Sequence, residues 1–189
     1  MSLILAFDTS GPHCAAALWR DGAFLDARAE AMTKGQAEAL MPMLEALLAD
    51  HGAGWPAVTR IGVGTGPGNF TGIRIAVSAA RGLALALEIP AIGVSNFDAI
   101  HHLHPDALAA VPAPRDHLYV RRAGGAPDYR HRDTLTAAPV LPPSPTALVT
   151  AMAQIAATAD PGPAPAPLYI KPADAAPSRD APPVLLDDA

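Results

Sequence analysis

Hydrophobic and polar positions divide the first hundred residues into short elements. Leu3-Ile-Leu-Ala-Phe7 is an unbroken apolar run that stops at Asp8-Thr-Ser-Gly11, the pattern of a buried strand entering a loop. His13 to Trp19 reads as a second strand and Ala23 to Ala31 as a third. Between them, Arg20-Asp21-Gly22 carries the Asp-Gly hairpin signal, so these two strands should be antiparallel. Gln36 to Ala49 has helical spacing, with Leu40, Met43, Leu44, Leu47 and Leu48 on one face. Pro42 inside it predicts a kink or a late start. Arg60 to Gly64 is a fourth strand, Ile73 to Leu87 a second helix and Ala91 to Val94 a fifth strand. Ser95 or Asn96 then caps a short helix through His102.

Three strands followed by alternating helices and strands predict an α/β fold with a mixed five-stranded sheet. The strands ending at Asp8 and at Gly64 should be parallel neighbours. Their C-terminal ends would then face one crevice, where ligands of open α/β sheets sit.

The pattern weakens after residue 105, and twelve of the 21 prolines lie between Pro139 and Pro183. Residues 1–105 therefore read as an N-terminal lobe and 106–178 as a reduced second lobe, with 179–189 expected to be a disordered tail. The second part is too small and proline-rich for an ample core of its own and should lean on the first. Within it, Leu118 to Arg122 and Tyr129 to Thr134 suggest a hairpin around Gly124-Gly125, and Thr146 to Ala157 a helix. Pro161 to Pro167 reads as a stiff, extended linker.

The segment Gly62 to Arg74 stands out. Five glycines fall within eleven positions, Gly62 to Gly72, between a strand and a helix. Such a loop, here Gly64, Gly66, Pro67, Gly68, Thr71 and Gly72, either holds an anion at a helix N-terminus or packs a helix tightly onto a sheet. The spacing does not fit G-x-G-x-x-G, because Asn69 and Thr71 stand where the third glycine is needed, nor a P-loop, because no lysine follows Gly72. The packing turn leads on this ground.

The net charge of −5 excludes a broad electrostatic footprint for nucleic acid, and half the residues are hydrophobic, enough for a sizeable core. A single cysteine, Cys14, excludes an internal disulfide and fits a reducing compartment. No signal peptide is expected, because the N-terminus lacks a basic region and Asp8 interrupts the first apolar run, and no apolar run is expected to reach the length of a membrane span. A cytoplasmic location is the expectation.

Candidate chemistry is sparse. Asp8, Thr9, Ser10 and Gly11 make a possible nucleotide-facing loop, in which Asp8 either positions a metal–phosphate group or caps a turn through Ser10 or Gly11. His101, His102 and His104 lack a carboxylate or cysteine at matching spacing, so no metal site is assigned. Arg115, Arg121, Arg122, Arg130 and Arg132 outnumber Asp116, Asp128 and Asp133, giving a small basic patch or a solvated hairpin face. The second helix is apolar around most of its circumference, which requires burial on more than one side. Arg74, Ser78 and Arg81 form its polar stripe.

Three segments carry a family resemblance. Ile4-Leu-Ala-Phe-Asp-Thr-Ser10 resembles the opening strand of the acetate kinase, sugar kinase, Hsp70 and actin fold. Gly66 to Ala76, with Ala79-Ala-Arg-Gly-Leu83 and Ile89 to Ser95, resembles the TsaB family, also called YeaZ. Leu168-Tyr-Ile-Lys-Pro172 is weakly similar to the family's Tyr-Leu-Arg segment. Family members often have histidine near Gln36 and an Asp-Ala-Arg-like start where this chain has Ala113-Pro-Arg115.

The resemblance implies an actin-like (ASKHA, RNase H-like) N-terminal lobe. It implies a non-catalytic paralogue of TsaD that pairs with and activates it in making threonylcarbamoyladenosine in tRNA. A TsaE-type ATPase joins the pair, tRNA is met only through the complex, and the chain alone forms a homodimer. It implies no tightly bound cofactor, ATP and threonylcarbamoyl-adenylate being used by the partner complex. The interface expected from helix pattern and resemblance together is Leu40, Met43, Leu44, Leu47, Arg74, Val77, Ala80 and Arg81. The rival is a small ATP-binding kinase or phosphohydrolase of the same fold using Asp8 and the glycine loop. A peptidase lacks a Ser–His–Asp arrangement in credible context.

Overall fold

The computed structural model describes residues 2–170. The expected tail at 179–189, and residues 171–178 of the second lobe, lie outside the described residues.

The strands are β1 (Leu3–Asp8), β2 (His13–Arg20), β3 (Ala23–Ala31), β4 (Arg60–Gly64), β5 (Ala91–Val94), β6 (Leu108–Pro112), β7 (His117–Arg121), β8 (Asp128–His131) and β9 (Pro139–Val140). The helices are α1 (Gln36–Asp50), α2 (Phe70–Leu87), α3 (Asn96–Leu103) and α4 (Pro145–Thr158). The first sheet has five strands in the order β3-β2-β1-β4-β5, and the second has four in the order β8-β7-β6-β9. β1 and β4 are parallel neighbours, with Leu5 opposite Ile61 and Ala6 opposite Gly62, as the sequence predicts. Asp21 and Gly22 both take positive φ, 49° and 84°, as a two-residue turn between β2 and β3 requires.

Side chains alternate across β1 and so build two cores. Leu3, Leu5 and Phe7 join Leu44, Leu47, Leu48, Ala76 and Ala80 beneath α1 and α2. Ile4 and Ala6 face the other way and meet Leu148, Val149, Met152 and Ala156 of α4. α4 falls in the segment assigned from sequence to the second lobe, yet it covers the first sheet. The small strand residues make this possible. A Cβ at Gly62 would lie 3.0 Å from Ala156 Cβ and 3.2 Å from the Met152 carbonyl oxygen. Arg60 holds the C-terminal end of α4, donating from Nη1 to the carbonyls of Ala156 (2.8 Å) and Ala159 (2.6 Å). A cation there also complements the helix dipole.

Four sequence expectations need correction. α1 starts at Gln36 and continues past Pro42, so there is no late start. α2 starts at Phe70 rather than Ile73, because Asn69 caps it: its Oδ1 accepts the Gly72 N–H at 2.8 Å. Thr71 and Gly72 therefore belong to the helix and not to the loop. β6 is a strand with no sequence forecast. α2 has the length, 18 residues, and mean hydropathy, 1.4, of a membrane span, contrary to the expectation that no apolar run reaches that length. Its buried side, Ile73, Ala76, Val77 and Ala80, packs on the chain itself, while Arg74 and Arg81 are exposed.

Candidate functional site

The C-terminal ends of β1 and β4 do open on one crevice. Asp8 ends β1 fully buried. Its Oδ2 accepts the Ser10 N–H at 3.0 Å and the Ser10 hydroxyl at 2.9 Å, and pairs with His13 Nε2 at 2.8 Å. Its Oδ1 has no hydrogen-bond partner among the described residues and lies where a Gly64 Cβ would stand, 1.9 Å away. Asp8 thus closes its own turn and fastens β2 to it. His13, read in the sequence only as the start of a strand, is the second half of this pair. Ser10 and His13 approach the same carboxylate oxygen, so the three residues are not wired as a Ser–His–Asp relay, which needs histidine between the other two.

The glycine loop packs against this turn. Thr9 donates its hydroxyl to the Gly72 carbonyl at 2.6 Å, and the Asn69 N–H donates to the Ser10 carbonyl at 2.7 Å. A Cβ on Gly68 would lie 2.4 Å from the Ser10 carbonyl oxygen, and one on Gly72 would lie 1.9 Å from that of Thr9. These contacts put the two backbones together and account for the glycines as a packing turn. The loop is thereby occupied by the chain's own carbonyls. Gly66 takes a φ of 89° beside the cis Gly66–Pro67 bond.

Asn96, at the start of α3, completes the crevice. Ser95 caps that helix in a capping box with Asp98, which frees Asn96 to point inward. Its Nδ2 donates to the Pro67 carbonyl at 2.8 Å and to the Ser10 hydroxyl at 3.1 Å. A cleft of about 890 Å³ lies over these groups, between the two sheets. Cys14 lies outside this chemistry: burial, with Glu30 and Asp8 nearby, pushes its thiol up to about 11, so it stays protonated.

Among the described residues, no three histidine, cysteine or acidic groups gather as a metal site. His102 hydrogen bonds Gln154, and His101 the Ala107 carbonyl. Two of the five arginines of the basic patch are paired: Arg121 binds Asp98 of α3 and lies over Phe97, and Arg130 binds Asp128 at 2.7 Å.

The helix residues expected at an interface divide into two sets. Leu40, Leu44, Leu47, Val77 and Ala80 are buried in the chain's own core, and Met43 is half-buried against it. Arg74 and Arg81 are exposed. Arg74 lies 4.0 Å over the Phe70 ring and donates from Nε to the Tyr169 hydroxyl at 2.9 Å. Phe70 and Tyr169 stack at 5.1 Å, and both are about half exposed. Beyond Arg81 the outer side of α2 presents Gly82, Leu85 and Ala86 to solvent, Leu85 being 82% exposed.

This α2, its Asn69 cap and the glycine turn before it fall within the segment that a known family matches. The family model described as tRNA N6-adenosine threonylcarbamoyltransferase (TsaD) matches residues 30–129. The chain belongs to the TsaB (YeaZ) family, a branch related to TsaD. The tRNA threonylcarbamoyladenosine biosynthesis protein TsaB of Escherichia coli is 40% identical over 93 residues, 49% of this chain and 40% of that protein. The TsaB of Haemophilus influenzae is 32% identical over 122 residues, 61% of this chain and 51% of that protein. The chain thus spans about half the length of these curated relatives. YeaZ from Pseudomonas aeruginosa superposes with a TM-score of 0.72 at 27% identity, covering 90% of this chain and all of that one. The actin-like lobe is therefore the fold of this chain.

Proposed function

We propose that this chain acts in the biosynthesis of threonylcarbamoyladenosine in tRNA, as a non-catalytic subunit that pairs with a TsaD-type transferase and holds it in an active arrangement. The observation that carries the pairing is the outer side of α2. An apolar helix of 18 residues is covered by its own core on one side only, and Leu85 stands 82% exposed beside Gly82 and Ala86. Small residues let a second helix approach closely, and Leu85 offers an apolar anchor. Exposed Ala46 and Ala49 on α1 extend the small-residue surface.

In this reading the chain contributes a surface and not a reacting group. ATP and threonylcarbamoyl-adenylate are handled by the partner assembly, a TsaE-type ATPase joins it, and tRNA is met through the complex in the cytoplasm. Without the transferase, the same surface serves a homodimer.

The test is co-elution with the cognate TsaD-type protein. Leu44 and Ala80 are fully buried, so a charge there breaks the core and says nothing about a partner. Leu85→Glu is the informative change. It should leave thermal unfolding within about 0.5 kcal/mol of the parent, as exposed substitutions do, while abolishing co-elution. Unchanged co-elution would remove α2 from the interface.

A further inference from the structure

We infer that the exposed stripe of α2 chooses its partner by charge: it fits a helix with apolar ends and an acidic middle, and it disfavours a second copy of this chain. The inference rests on the pairing reading above and adds the chemistry that the transferase must present.

Phe70, Arg74, Ser78, Arg81 and Leu85 follow one another at helical spacing along a single side of α2. Phe70, 45% exposed, and Leu85 are its apolar ends. At the rise of an α-helix they stand about 22 Å apart. Arg74 and Arg81 lie between them, each four positions in from an end. With Val77, Ser78 and Pro167 the two arginines line a shallow depression of about 410 Å³.

Neither guanidinium has a carboxylate. Among the described residues Arg74 and Arg81 take part in no ion pair, whereas Arg28, Arg121 and Arg130 are ion-paired. α2 contains no acidic residue, and Glu88 at its C-cap lies beyond Leu85. Arg74 is nonetheless held in place, by the Phe70 ring and the Tyr169 hydroxyl. A guanidinium fixed in advance loses less freedom when it binds a carboxylate.

The symmetry of the stripe weighs against a second copy. Two copies laid antiparallel, with Phe70 of each on Leu85 of the other, set Arg74 opposite Arg81 twice. Four guanidiniums then meet with no carboxylate among them, and like charges brought together oppose association. A partner helix with carboxylates at the two middle positions meets the same geometry with attraction at both.

The experiment measures two equilibria of the full chain at about 0.05 M and about 0.5 M NaCl: self-association by sedimentation, and binding to the cognate TsaD-type protein by calorimetry. Salt should weaken transferase binding by about tenfold and strengthen self-association. Arg81→Glu is the decisive variant. Arg81 is exposed and makes no hydrogen bond or ion pair among the described residues, so thermal unfolding should not change. The new carboxylate faces Arg74 of the other copy, so self-association should tighten by about tenfold while transferase binding weakens by about tenfold or more. A parent chain that does not bind the transferase at either salt concentration refutes the pairing reading and this inference with it. A parent chain that binds, with Arg81→Glu binding as tightly or with both equilibria moving in the same direction, overturns the selection by charge and leaves the pairing standing.

Discussion

The Thr9 hydroxyl donates to the Gly72 carbonyl at 2.6 Å, tying the turn after β1 to the first turn of α2 across 63 residues of sequence. The reverse contact is as close: a Cβ on Gly72 would stand 1.9 Å from the Thr9 carbonyl oxygen. The two segments hold one another at a separation only glycine permits.

Gly72→Ala should therefore destabilise the chain by about 3 kcal/mol or prevent folding, because backbone atoms on both sides resist movement. Gly82→Ala is the control. It lies on the same helix, exposed, with nothing within 4 Å of the new methyl. It should stabilise by about 0.5–1 kcal/mol through helix propensity. Urea unfolding measures both; equal effects would refute the packing role given to the glycine turn.

Arg60 joins β4 to the last carbonyls of α4, at 2.8 and 2.6 Å. Arg60→Met keeps most of the aliphatic stem and removes both donors. A loss of about 2 kcal/mol in urea unfolding is expected, the scale of hydrogen bonds from a charged group. No loss would mean that α4 is held by its apolar face alone.

How much of this was legible in the sequence differs along the chain. The first five strands, both long helices and the Asp21-Gly22 turn follow from local period and turn chemistry, and the parallel pairing of β1 with β4 follows from their connection. β6 did not show itself, because Leu108-Ala-Ala-Val-Pro112 has two alanines and a proline, poor strand formers, and is stabilised by β7 and β9 on either side. The placement of α4 on the first sheet depends on Ala6, Ala15, Ala17 and Gly62, whose smallness matters only once the helix lies over them.

The site was legible in part. Asp8-Thr-Ser-Gly11 and the glycine turn marked the crevice, but His13 and Asn96 were visible only as a strand start and a cap. Their roles arise from contacts across the fold, such as the 86 positions between Asn96 and Ser10. Leu40, Leu44 and Leu47 illustrate a general ambiguity. Helical spacing identifies an apolar face, and the chain's own sheet and a partner satisfy it equally.

Acid should loosen the junction of α3 with the second sheet. Burial by itself raises the Asp98 pKa, but hydrogen bonds from Ser95 and the Arg121 guanidinium outweigh it and hold the carboxyl below its ordinary value. A carboxyl depressed in the folded state adds stability above its unfolded pKa of about 4 and loses it as pH falls through the folded value. Asp98→Asn should therefore flatten the fall in stability below about pH 4. Equal acid slopes for parent and variant, followed by thermal unfolding, would contradict this.

The central claim, that this chain supports a transferase through contact, is tested most directly by reconstitution. The cognate TsaD-type and TsaE-type proteins, tRNA, threonylcarbamoyl-adenylate and ATP are combined with this chain, without it, or with its Leu85→Glu variant. Threonylcarbamoyladenosine is counted in the tRNA digest. Product that depends on the parent chain and is lost with Leu85→Glu is the predicted result. Equal product with and without the chain would contradict the account.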